Sequence, residues 1–443
     1  MPEQLFGTDG VRGVAGEWPL DPPTIARLGA AIARNAGGRP KILIGRDTRE
    51  SGGWITREFA RGACAEGAPA TSAGVIPTPG VAYLTRALGF DLGVVLSAFH
   101  NPYGDNGIKV FSGRGEKFGE ENERRVEALV ADPSWQLSNP PDPRIEDADY
   151  IEPYVAYVAR QLPSAGALTG ARIAVDMANG ATTTTAVRLF ERLGFEVLPV
   201  GDQPDGRNIN LACGSTHPAR LAGLVVERQC RLGVAFDGDG DRVILVDHLG
   251  HVVDGDAVLL TLGAHAKAHG RLPGDTLVAT VMSNIGLEIA LRERGIHMLR
   301  TPVGDKYVME KMIEGGYALG GEQSGHVILA DHLPTGDGMA TALAVLRVMA
   351  ESGGELHELA SALKTFPQTL VNVRVKQKIA VGDVPEIQAA ITRVESALAG
   401  RGRVLVRYSG TEPLLRIMIE GEDQATVQAW AEEIADAVRT ALT

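Results

Sequence analysis

Cysteine is scarce in this chain of 443 residues, which contains only Cys64, Cys213 and Cys230. An odd number of cysteines without the close spacing of metal-binding pairs argues against a disulfide framework and suits a reducing setting. No apolar run approaches the roughly 18 residues that a membrane span requires. The first ten residues show neither the basic lead nor the apolar core of a secretory signal. We therefore expect a cytoplasmic protein without a membrane partner.

Basic residues are also too few for a typical nucleic-acid-binding chain. The sequence has 43 Lys and Arg against 55 Asp and Glu, which gives a formal net charge of −12. Binding to nucleic acid calls for a basic patch or stripe, so we expect no nucleic-acid partner. A local pocket of Arg and Lys can still bind a phosphate group inside an acidic protein.

What the sequence does contain is a repeated alternation of strand-like and helix-like patterns. Apolar β-rich runs alternate with amphipathic helical runs, which predicts α/β domains with parallel strands. Near the end the order changes to strand, helix, two strands and helix, which predicts a smaller α+β domain. The proline- and acid-rich residues 132–149 read as a connector. Because the length suits about three or four domains, we expect the domains 1–150, 151–250, 251–366 and 367–443.

Three aspartates alternate with glycines in the sequence FDGDGDR, residues 236–242. Like charges this close repel one another unless a cation lies among them, and carboxylate oxygens suit Mg²⁺ or Ca²⁺. The glycines allow the tight turn that lets Asp237, Asp239 and Asp241 converge, and Arg242 adds a cation that suits a phosphate. The alternative is a solvated acidic turn between two strands. The pattern favours a metal-assisted phosphate site.

Two stretches near the start of the chain combine glycine with polar side chains. FGTDGVRG at residues 6–13 predicts a glycine-rich loop whose N–H groups and Arg12 could face phosphate. Residues 97–109 follow a predicted strand, and the carboxyl ends of parallel strands are where open α/β sheets place their chemistry. This second predicted loop offers Ser97, His100 and Lys109. Each stretch taken alone also describes an ordinary turn.

Three later stretches have the same character. TPVGDK at residues 301–306 is another glycine loop, and GEQSGH at 321–326 supplies the paired donors and acceptors that hydroxyl-rich ligands such as sugars need. RYSGTEP at 407–413, with Arg416 beyond it, combines two arginines, two hydroxyls and a glycine, as a phosphate clamp does.

Taken together and in this order, FGTDGVRG, SAFHNPYGDNGIKVF, FDGDGDR, TPVGDK, GEQSGH and RYSGTEP resemble the α-D-phosphohexomutase superfamily. GEQSGH and the sequence NINLACGSTH at 208–217 are most similar to the bacterial phosphoglucosamine mutase branch. The resemblance implies four domains around a central cleft, three of them mixed α/β and the last a smaller α+β domain.

The same resemblance implies an isomerase of amino sugar metabolism that acts as an intramolecular phosphotransferase. It would interconvert glucosamine 6-phosphate and glucosamine 1-phosphate through glucosamine 1,6-bisphosphate, for UDP-N-acetylglucosamine synthesis. A phosphorylated amino sugar is the expected partner, and a homodimer is expected from resemblance alone. A phosphomannomutase or phosphoglucomutase relative is an alternative, which would prefer a hydroxyl over an amine at carbon 2.

Individual residues receive roles from the resemblance. The expected cofactor is Mg²⁺, held by Asp237, Asp239 and Asp241 with a phosphoserine oxygen. Near the reacting phosphate the resemblance places position 99 with Arg12, His100, Lys109 and His326, as charge stabilisers or proton shuttles. The expected substrate-binding residues are Thr301, Gly304, Asp305, Glu322, Gln323, Ser324, Arg407, Ser409, Gly410, Thr411 and Arg416.

One residue departs from the family pattern. The family motif is SASHNP, and its serine before the histidine carries the phosphoryl group, whereas this chain has Phe99 there. A phenyl ring has no atom that can accept or return phosphate, so the phosphoenzyme route cannot use this position and the metal loses a ligand. Three explanations of Phe99 remain open. The first is a deliberately altered sequence, the second is a natural sugar-phosphate binder with a regulatory role, and the third is transfer of the phosphoryl group to Ser97 instead. Transfer to Ser97 requires a shift of about 6–7 Å, and His100 is a further acceptor in principle. A catalytically silent sugar-phosphate binder is therefore the second hypothesis.

Overall fold

The structure is a computed structural model that describes residues 5–7, 9–138, 143, 145–409 and 413–443. The chain forms two compact units. The first comprises Met1–Met282 and Gly295–Ala362, and the second comprises Ser283–Arg294 and Leu363–Thr443. Three mixed sheets with helices lie in the first unit and a small antiparallel sheet lies in the second, so the predicted fold class is confirmed. None of the helices that the structure describes is long and apolar enough to cross a membrane.

The first sheet is built from the amino-terminal third of the chain. Its elements are β1 (Phe6–Gly7), β2 (Gly10–Val14), α1 (Pro22–Ala36), β3 (Ile42–Arg46), α2 (Gly52–Ala65), β4 (Ala70–Val75), α3 (Thr78–Leu88), β5 (Leu92–Leu96), β6 (Asp105–Ser112), α4 (Glu120–Ala131) and β7 (Ile145–Asp147). Within the described residues the strand order is β1-β2-β6-β5-β3-β4-β7. Strands β5, β3, β4 and β7 are parallel, while β1, β2 and β6 pair antiparallel.

Helix α1 shows how local chemistry and packing combine in this region. The carboxylate of Asp21 accepts a hydrogen bond from the Thr24 N–H group at 3.0 Å, and proline occupies the first helical positions. The helix ends at Gly37, which has a φ of 74°. Its apolar face, including Ile25 and Ile32, is buried in the core of this sheet.

Two predictions about this region are wrong. Residues 6–13 contain the β1–β2 pairing instead of a loop, and the end of the predicted 97–109 loop belongs to β6. Within the predicted connector 132–149, residues 145–147 form β7 of the same sheet. The sheet is also mixed and not parallel throughout. The reason is that pairing with distant strands gives these glycine- and proline-rich segments hydrogen-bond partners that local sequence does not reveal.

The second sheet contains the acidic motif. Its elements are α5 (Ile151–Val158), β8 (Arg172–Asp176), α6 (Ala186–Arg192), β9 (Glu196–Val200), α7 (Ala219–Glu227), β10 (Leu232–Phe236), β11 (Val243–Asp247) and β12 (Val252–Val253). The order is β12-β11-β10-β8-β9. Strands β10, β8 and β9 are parallel, whereas β11 pairs antiparallel with β10 and β12.

The third sheet follows. The elements along this part of the chain are α8 (Gly255–Ala268), β13 (Thr276–Thr280), α9 (Ile285–Glu293), β14 (His297–Thr301), α10 (Asp305–Gly315), β15 (Leu319–Gly321), β16 (Val327–Leu329), α11 (Gly338–Ser352) and α12 (Leu356–Ala360). Helix α9 belongs to the second unit. The order is β14-β13-β15-β16, with β16 antiparallel to β15.

The second unit contains the antiparallel sheet β17-β19-β18. Its elements after residue 362 are β17 (Gln368–Arg374), α13 (Pro385–Leu398), β18 (Arg403–Tyr408), β19 (Leu414–Glu420) and α14 (Gln424–Leu442). Buried residues of both helices, such as Val394 and Ile434, pack with Ile417 of the central strand. Short 3₁₀ turns elsewhere in the chain are Ala159–Gln161, Gly166–Leu168, Ala181–Thr184, Pro273–Asp275 and Val381–Asp383.

The first three sheets place one loop in an equivalent position. In each sheet a strand paired in parallel (β5, β10 or β15) is followed by a loop and then by an antiparallel partner (β6, β11 or β16). These three loops contain position 99, the acidic motif and residues 322–326. The shared topology therefore explains why three of the sequence motifs occur once per α/β domain.

Candidate active site

The three aspartates of residues 237–242 are buried and face one another. Asp237, Asp239 and Asp241 are 0%, 1% and 0% exposed, so the alternative of a solvated acidic turn is wrong. One carboxylate oxygen of each lies within 4.8 Å of the other two. Asp237 Oδ2, Asp239 Oδ1 and Asp241 Oδ1 make no hydrogen bond within the described residues. Buried carboxylate oxygens without partners are costly, so this cradle fits a divalent cation with hard oxygen ligands.

Two glycines make this turn sterically feasible. Gly240 has a φ of 74°, which suits glycine, and its N–H group donates to Asp237 Oδ1 at 3.1 Å. A Cβ atom at Gly238 would lie 2.5 Å from the Phe99 carbonyl oxygen. The loop that contains position 99 can therefore approach the acidic loop only because residue 238 has no side chain.

A buried lysine and a hydroxyl contact the acidic cluster directly. Lys109 Nζ lies 2.9 Å from Asp239 Oδ2 and 3.5 Å from Asp241 Oδ2, and Thr78 Oγ1 donates to Asp239 Oδ2 at 2.5 Å. Burial and the charges of Asp241 and Asp239 raise the pKa of Asp237 well above its usual range. Burial also opposes ionisation of Asp241, but Lys109 and His326 outweigh it and hold the pKa of Asp241 well below its usual range. A divalent cation among the three carboxylates would therefore favour the ionised form of Asp237.

The ring of Phe99 lies among four cationic side chains. Lys109 Nζ is 2.8 Å and Arg12 Cζ is 4.1 Å from the ring centroid, while Arg242 Cζ and Lys117 Nζ are 5.7 Å and 6.0 Å away. The negative face of an aromatic ring attracts cations, although more weakly than a phosphate would. This concentration of positive charge therefore suits an anionic group at position 99 better than a phenyl ring.

The backbone at position 99 is held firmly. Phe99 is buried with a φ of 53°, an uncommon value for a residue other than glycine. Its carbonyl oxygen accepts hydrogen bonds from Asn210 Nδ2 at 2.7 Å and from Arg49 Nη2 at 3.2 Å. Strain held by surrounding hydrogen bonds is typical of functional positions.

The neighbouring candidates Ser97 and His100 have other partners. Ser97 Oγ donates to Asp47 Oδ2 at 2.6 Å and accepts from the Phe99 N–H group at 3.1 Å, so its hydroxyl is engaged in a buried network. His100 accepts a hydrogen bond at Nδ1 from Arg242 at 2.8 Å. Burial and the Arg242 charge lower the pKa of His100, which keeps the ring neutral.

His326 and Asp305 lie on the other side of the acidic cluster. The backbone N–H group of Gly336 donates to His326 Nε2 at 3.0 Å, which places the ring proton on Nδ1, 3.5 Å from Asp241 Oδ2. Asp305 Oδ2 is 3.3 Å from His326 Nε2 and also contacts Lys117. His326 therefore bridges the acidic loop and the glycine loop at residues 301–306.

The loop 321–326 and the loop 301–306 also meet. Glu322 Oε1 accepts from the Gly304 N–H group at 3.2 Å, and Ser324 Oγ donates to Glu322 Oε2 at 3.4 Å. Gln323 Nε2 instead donates to Asp254 Oδ2 at 3.2 Å, and the Thr301 hydroxyl donates to the Pro302 carbonyl at 3.1 Å. The structure thus joins Glu322, Ser324 and Gly304, while Gln323 and Thr301 have partners elsewhere.

The predicted phosphate clamp lies in the second unit. Arg407 and Arg416 are directly opposite each other on the antiparallel strands β18 and β19. Arg416 Nη2 is 3.5 Å from Ser409 Oγ, and Lys378 Nζ donates to the Ser409 carbonyl at 2.7 Å. Burial and the Arg416 charge lower the pKa of Arg407. Like charges directly opposite each other on paired strands repel. The predicted residues Gly410 and Thr411 lie outside the described residues.

Comparison with known proteins adds an independent result. The phosphoglucomutase/phosphomannomutase alpha/beta/alpha domains I, II and III match residues 3–136, 152–250 and 254–366, and the C-terminal domain of the same group matches residues 370–437. The phosphoglucosamine mutase of Solibacter usitatus is 49% identical over 99% of both chains. That of Moorella thermoacetica is 48% identical over 96% of this chain and 97% of its own. The chain belongs to the phosphoglucosamine mutase family.

Solved structures agree on the fold. A phosphoglucomutase/phosphomannomutase family protein from Burkholderia thailandensis has a TM-score of 0.81 at 24% identity and covers 99% of this chain and 98% of its own. The N-acetylphosphoglucosamine mutase of Aspergillus fumigatus, solved with GlcNAc-6P and magnesium, has a TM-score of 0.68 at 18% identity and covers 100% and 97%. The phosphohexomutases to which the family belongs are intramolecular phosphotransferases, as the sequence motifs predicted.

Several residues at this phosphoglucosamine mutase-family site were not predicted from the sequence. Lys117 contacts Asp9 at 2.8 Å and faces the Phe99 ring, and Asn210 and Thr78 hold the two loops from other elements. Asp9 belongs to the FGTDGVRG motif, so this motif could have been used to predict Asp9 as a site residue. Lys117 and Thr78 lie in stretches without a distinctive pattern, and only the folded chain brings them to the site.

Proposed function

We propose that this site is built to interconvert glucosamine 6-phosphate and glucosamine 1-phosphate through glucosamine 1,6-bisphosphate. We also propose that Phe99 stops the reaction at phosphoryl transfer, so that the chain as it stands binds amino-sugar phosphates with little or no turnover. The main observation in support of both proposals is that four cationic side chains lie around the ring of Phe99, beside the buried aspartates. Membership of the phosphoglucosamine mutase family supports the choice of substrate.

Mg²⁺ is the proposed cofactor, held by Asp237, Asp239 and Asp241. Their buried oxygens without described hydrogen-bond partners support this choice, because hard oxygen ligands suit Mg²⁺. When bound, the ion would neutralise charge on a transferring phosphoryl group. His326 would act as a positioning residue, because its Nδ1 proton faces Asp241.

Positioning and charge neutralisation are the main demands of phosphoryl transfer. We assign charge stabilisation to Arg12 and Lys109, together with Lys117 and Arg242, because all four face position 99. His100 is exposed and neutral beside Arg242, where it could exchange a proton with a sugar hydroxyl. Asp305 would hold Lys117 and His326 in place.

Substrate recognition is assigned to two groups of residues. Glu322 and Ser324, with the backbone of Gly304, would hold sugar hydroxyls, and Thr301 and Gln323 would shape this loop pair. In the second unit Arg407 and Arg416 would bind the non-reacting phosphate, with Ser409 as a hydroxyl donor. Gly410 and Thr411 complete this assignment on sequence grounds.

A paired assay tests the proposal. Mutase turnover is measured by a coupled assay on this chain and on Phe99→Ser, each primed with glucosamine 1,6-bisphosphate and Mg²⁺. Calorimetric titration with glucosamine 6-phosphate measures binding by both proteins. Binding by both with turnover only in Phe99→Ser supports the proposal, whereas equal turnover in the two would show that position 99 is not the phosphoryl carrier.

The same assay addresses the alternatives. A preference for mannose or glucose phosphates over glucosamine 6-phosphate in Phe99→Ser would favour a phosphomannomutase or phosphoglucomutase relative. Binding of glucosamine 6-phosphate without turnover in either protein would favour a silent regulatory binder. Intact-mass analysis separates the remaining routes, because a phosphate adduct mapped to Ser97 or His100 would contradict the role assigned to position 99.

We further propose domains at residues 1–150, 151–250, 251–366 and 367–443, a homodimer and a cytoplasmic location. Limited proteolysis tests the boundaries, and analytical ultracentrifugation tests the oligomeric state. A monomer at micromolar concentration would contradict the homodimer without affecting the proposed reaction.

A further inference from the structure

A second cluster of metal-ligating side chains lies outside the candidate active site. His265 is in the last turn of α8, His269 follows the end of that helix, and Glu351 is in the last turn of α11. One donor atom of each residue lies within 4.8 Å of the other two. Two histidines four positions apart on a helix, with a carboxylate, form a donor set that holds Zn²⁺ in proteins.

The His269 ring is already arranged for ligation. His269 Nδ1 is 2.8 Å from the His265 backbone carbonyl, a hydrogen bond that places the proton on Nδ1 and leaves Nε2 as the electron-pair donor. Arg271 Nη2 is 3.4 Å from His265 Nδ1, near the limit for a hydrogen bond, so this contact opposes a metal only weakly.

The distance between His265 and Glu351 needs little adjustment. His265 Nε2 is 2.8 Å from Glu351 Oε2. Tetrahedral ligands at about 2.0–2.1 Å from Zn²⁺ lie about 3.3 Å apart, so these two atoms would separate by about half an ångström. The His265 side chain is 11% exposed and Glu351 is 44% exposed, so water can complete the coordination.

The electrostatic setting also favours a cation. Both α8 and α11 end at this cluster, and the carboxyl end of each helix carries a partial negative charge of about one half. Glu351 adds a full negative charge. The opposing cation within hydrogen-bond reach is Arg271, and Lys267 of the same helix end instead contacts Gly295 and Asp275.

The two helices connect this cluster to the candidate active site. At their amino-terminal ends, the Gly255 N–H group donates to the Gln323 carbonyl at 3.0 Å and the Gly338 N–H group donates to the Gly240 carbonyl at 3.0 Å. An ion bound at the carboxyl ends of α8 and α11 would therefore connect the two helices whose amino-terminal ends contact the loop 321–326 and the acidic loop 236–242.

We propose that His265, His269 and Glu351 bind a first-row transition-metal dication such as Zn²⁺ or Co²⁺, which clasps α8 to α11. The assignment goes beyond the proposed reaction and does not depend on it. The competing interpretation is a histidine–glutamate ion pair that binds no metal.

Calorimetric titration of the full chain with Zn²⁺ tests the site, with excess Mg²⁺ present to occupy the acidic triad. The wild-type chain is expected to bind one Zn²⁺ that His265→Ala and His269→Ala bind at least about tenfold more weakly. His297→Ala, which removes an exposed histidine of β14, is the matched control and should leave the affinity unchanged. Zn²⁺ should raise the Tm of the wild type by about 2 °C or more and leave that of His269→Ala nearly unchanged.

Equal Zn²⁺ affinity in the wild type and His269→Ala would overturn the site, as would a wild type that takes up no Zn²⁺. His269 is exposed beyond the helix end, so this variant remains informative if His265→Ala does not fold. Co²⁺ gives a second readout, since visible absorption bands from nitrogen ligation should disappear in His269→Ala. Neither measurement requires turnover, so this test and the mutase assay can fail independently.

Discussion

The ammonium group of Lys109 lies 2.8 Å from the centroid of the Phe99 ring. The same lysine bonds to Asp239 at 2.9 Å, so it joins position 99 to the acidic cluster. Family resemblance places a phosphoserine where this ring lies. Lys109 therefore contacts both the ring at position 99 and the acidic cluster. Phenylalanine at position 99 removes the reacting hydroxyl group, while the charged side chains around it stay in place.

Replacement of Phe99 by serine should restore turnover. A variant Phe99→Ser supplies the missing hydroxyl among the cations, and we expect mutase kcat to rise by about 10³-fold or more. Phe99→Ala is the matched control, because it opens the same space without a nucleophile and should stay as slow as the parent chain. A comparable gain in Phe99→Ala would mean that crowding by the ring, not the missing hydroxyl, limits the reaction.

Removal of one acidic ligand should weaken metal binding. Asp241→Asn is expected to reduce Mg²⁺ affinity by about 100-fold in calorimetry, because affinity follows the number of charged ligands. Without Mg²⁺ this variant should be less stable than the parent, since it removes the carboxylate that Lys109 and His326 stabilise in the folded chain. Asp331→Asn, at an exposed aspartate of the same unit, is the control and should not change the affinity. Unchanged Mg²⁺ binding in Asp241→Asn would place the metal elsewhere.

The arginine pair of the second unit should contribute to phosphate binding. Arg407→Gln is expected to weaken binding of glucosamine 6-phosphate by about 10–100-fold, through loss of a charged hydrogen bond. Arg374→Gln changes an exposed arginine of β17 and should bind normally. If both variants bind equally well, the clamp assignment is wrong.

Gly238 should not tolerate even a methyl group. Gly238→Ala places Cβ 2.5 Å from the Phe99 carbonyl, so we expect a loss of about 1–3 kcal/mol in the free energy of unfolding. Chemical denaturation measures this change. Gly223→Ala in α7 is the control, because its Cβ meets nothing within 4 Å and alanine favours a helix. Equal stability of the two variants would contradict the close approach of the two loops.

Cys213 should react slowly with alkylating reagents. Burial, together with the nearby Asp176, raises the pKa of its thiol to about 11. The thiolate is the reactive form, so at pH 8 only about one thiol in a thousand is ionised, and reactivity should increase with pH. Peptide mapping after iodoacetamide treatment should show alkylation at least about 100-fold slower than in the urea-unfolded chain. Similar rates in the folded and unfolded chain would contradict the burial of this thiol.

Much of the site was predictable because its residues lie in compact motifs. The alternation of Asp and Gly in residues 236–242 indicates convergent carboxylates from charge repulsion alone, and the structure places these side chains together. Strand and helix identities in the α/β region followed from apolar periodicity. Loop predictions failed at residues 6–13 and 105–109, mainly because residues 11–14 pair with residues 105–108, which are distant in the chain.

The fold class, the family motifs and the replacement at Phe99 can be read from the amino-acid sequence, since each depends on local pattern or on residue identity. The folded chain was needed to show that four cations face the Phe99 ring, that Ser97 donates to Asp47, and that Lys117 belongs to the site. The physical reason is that charges and hydrogen bonds act over a few ångströms in space. The residues that supply them are separated by many positions, and folding alone brings them within reach.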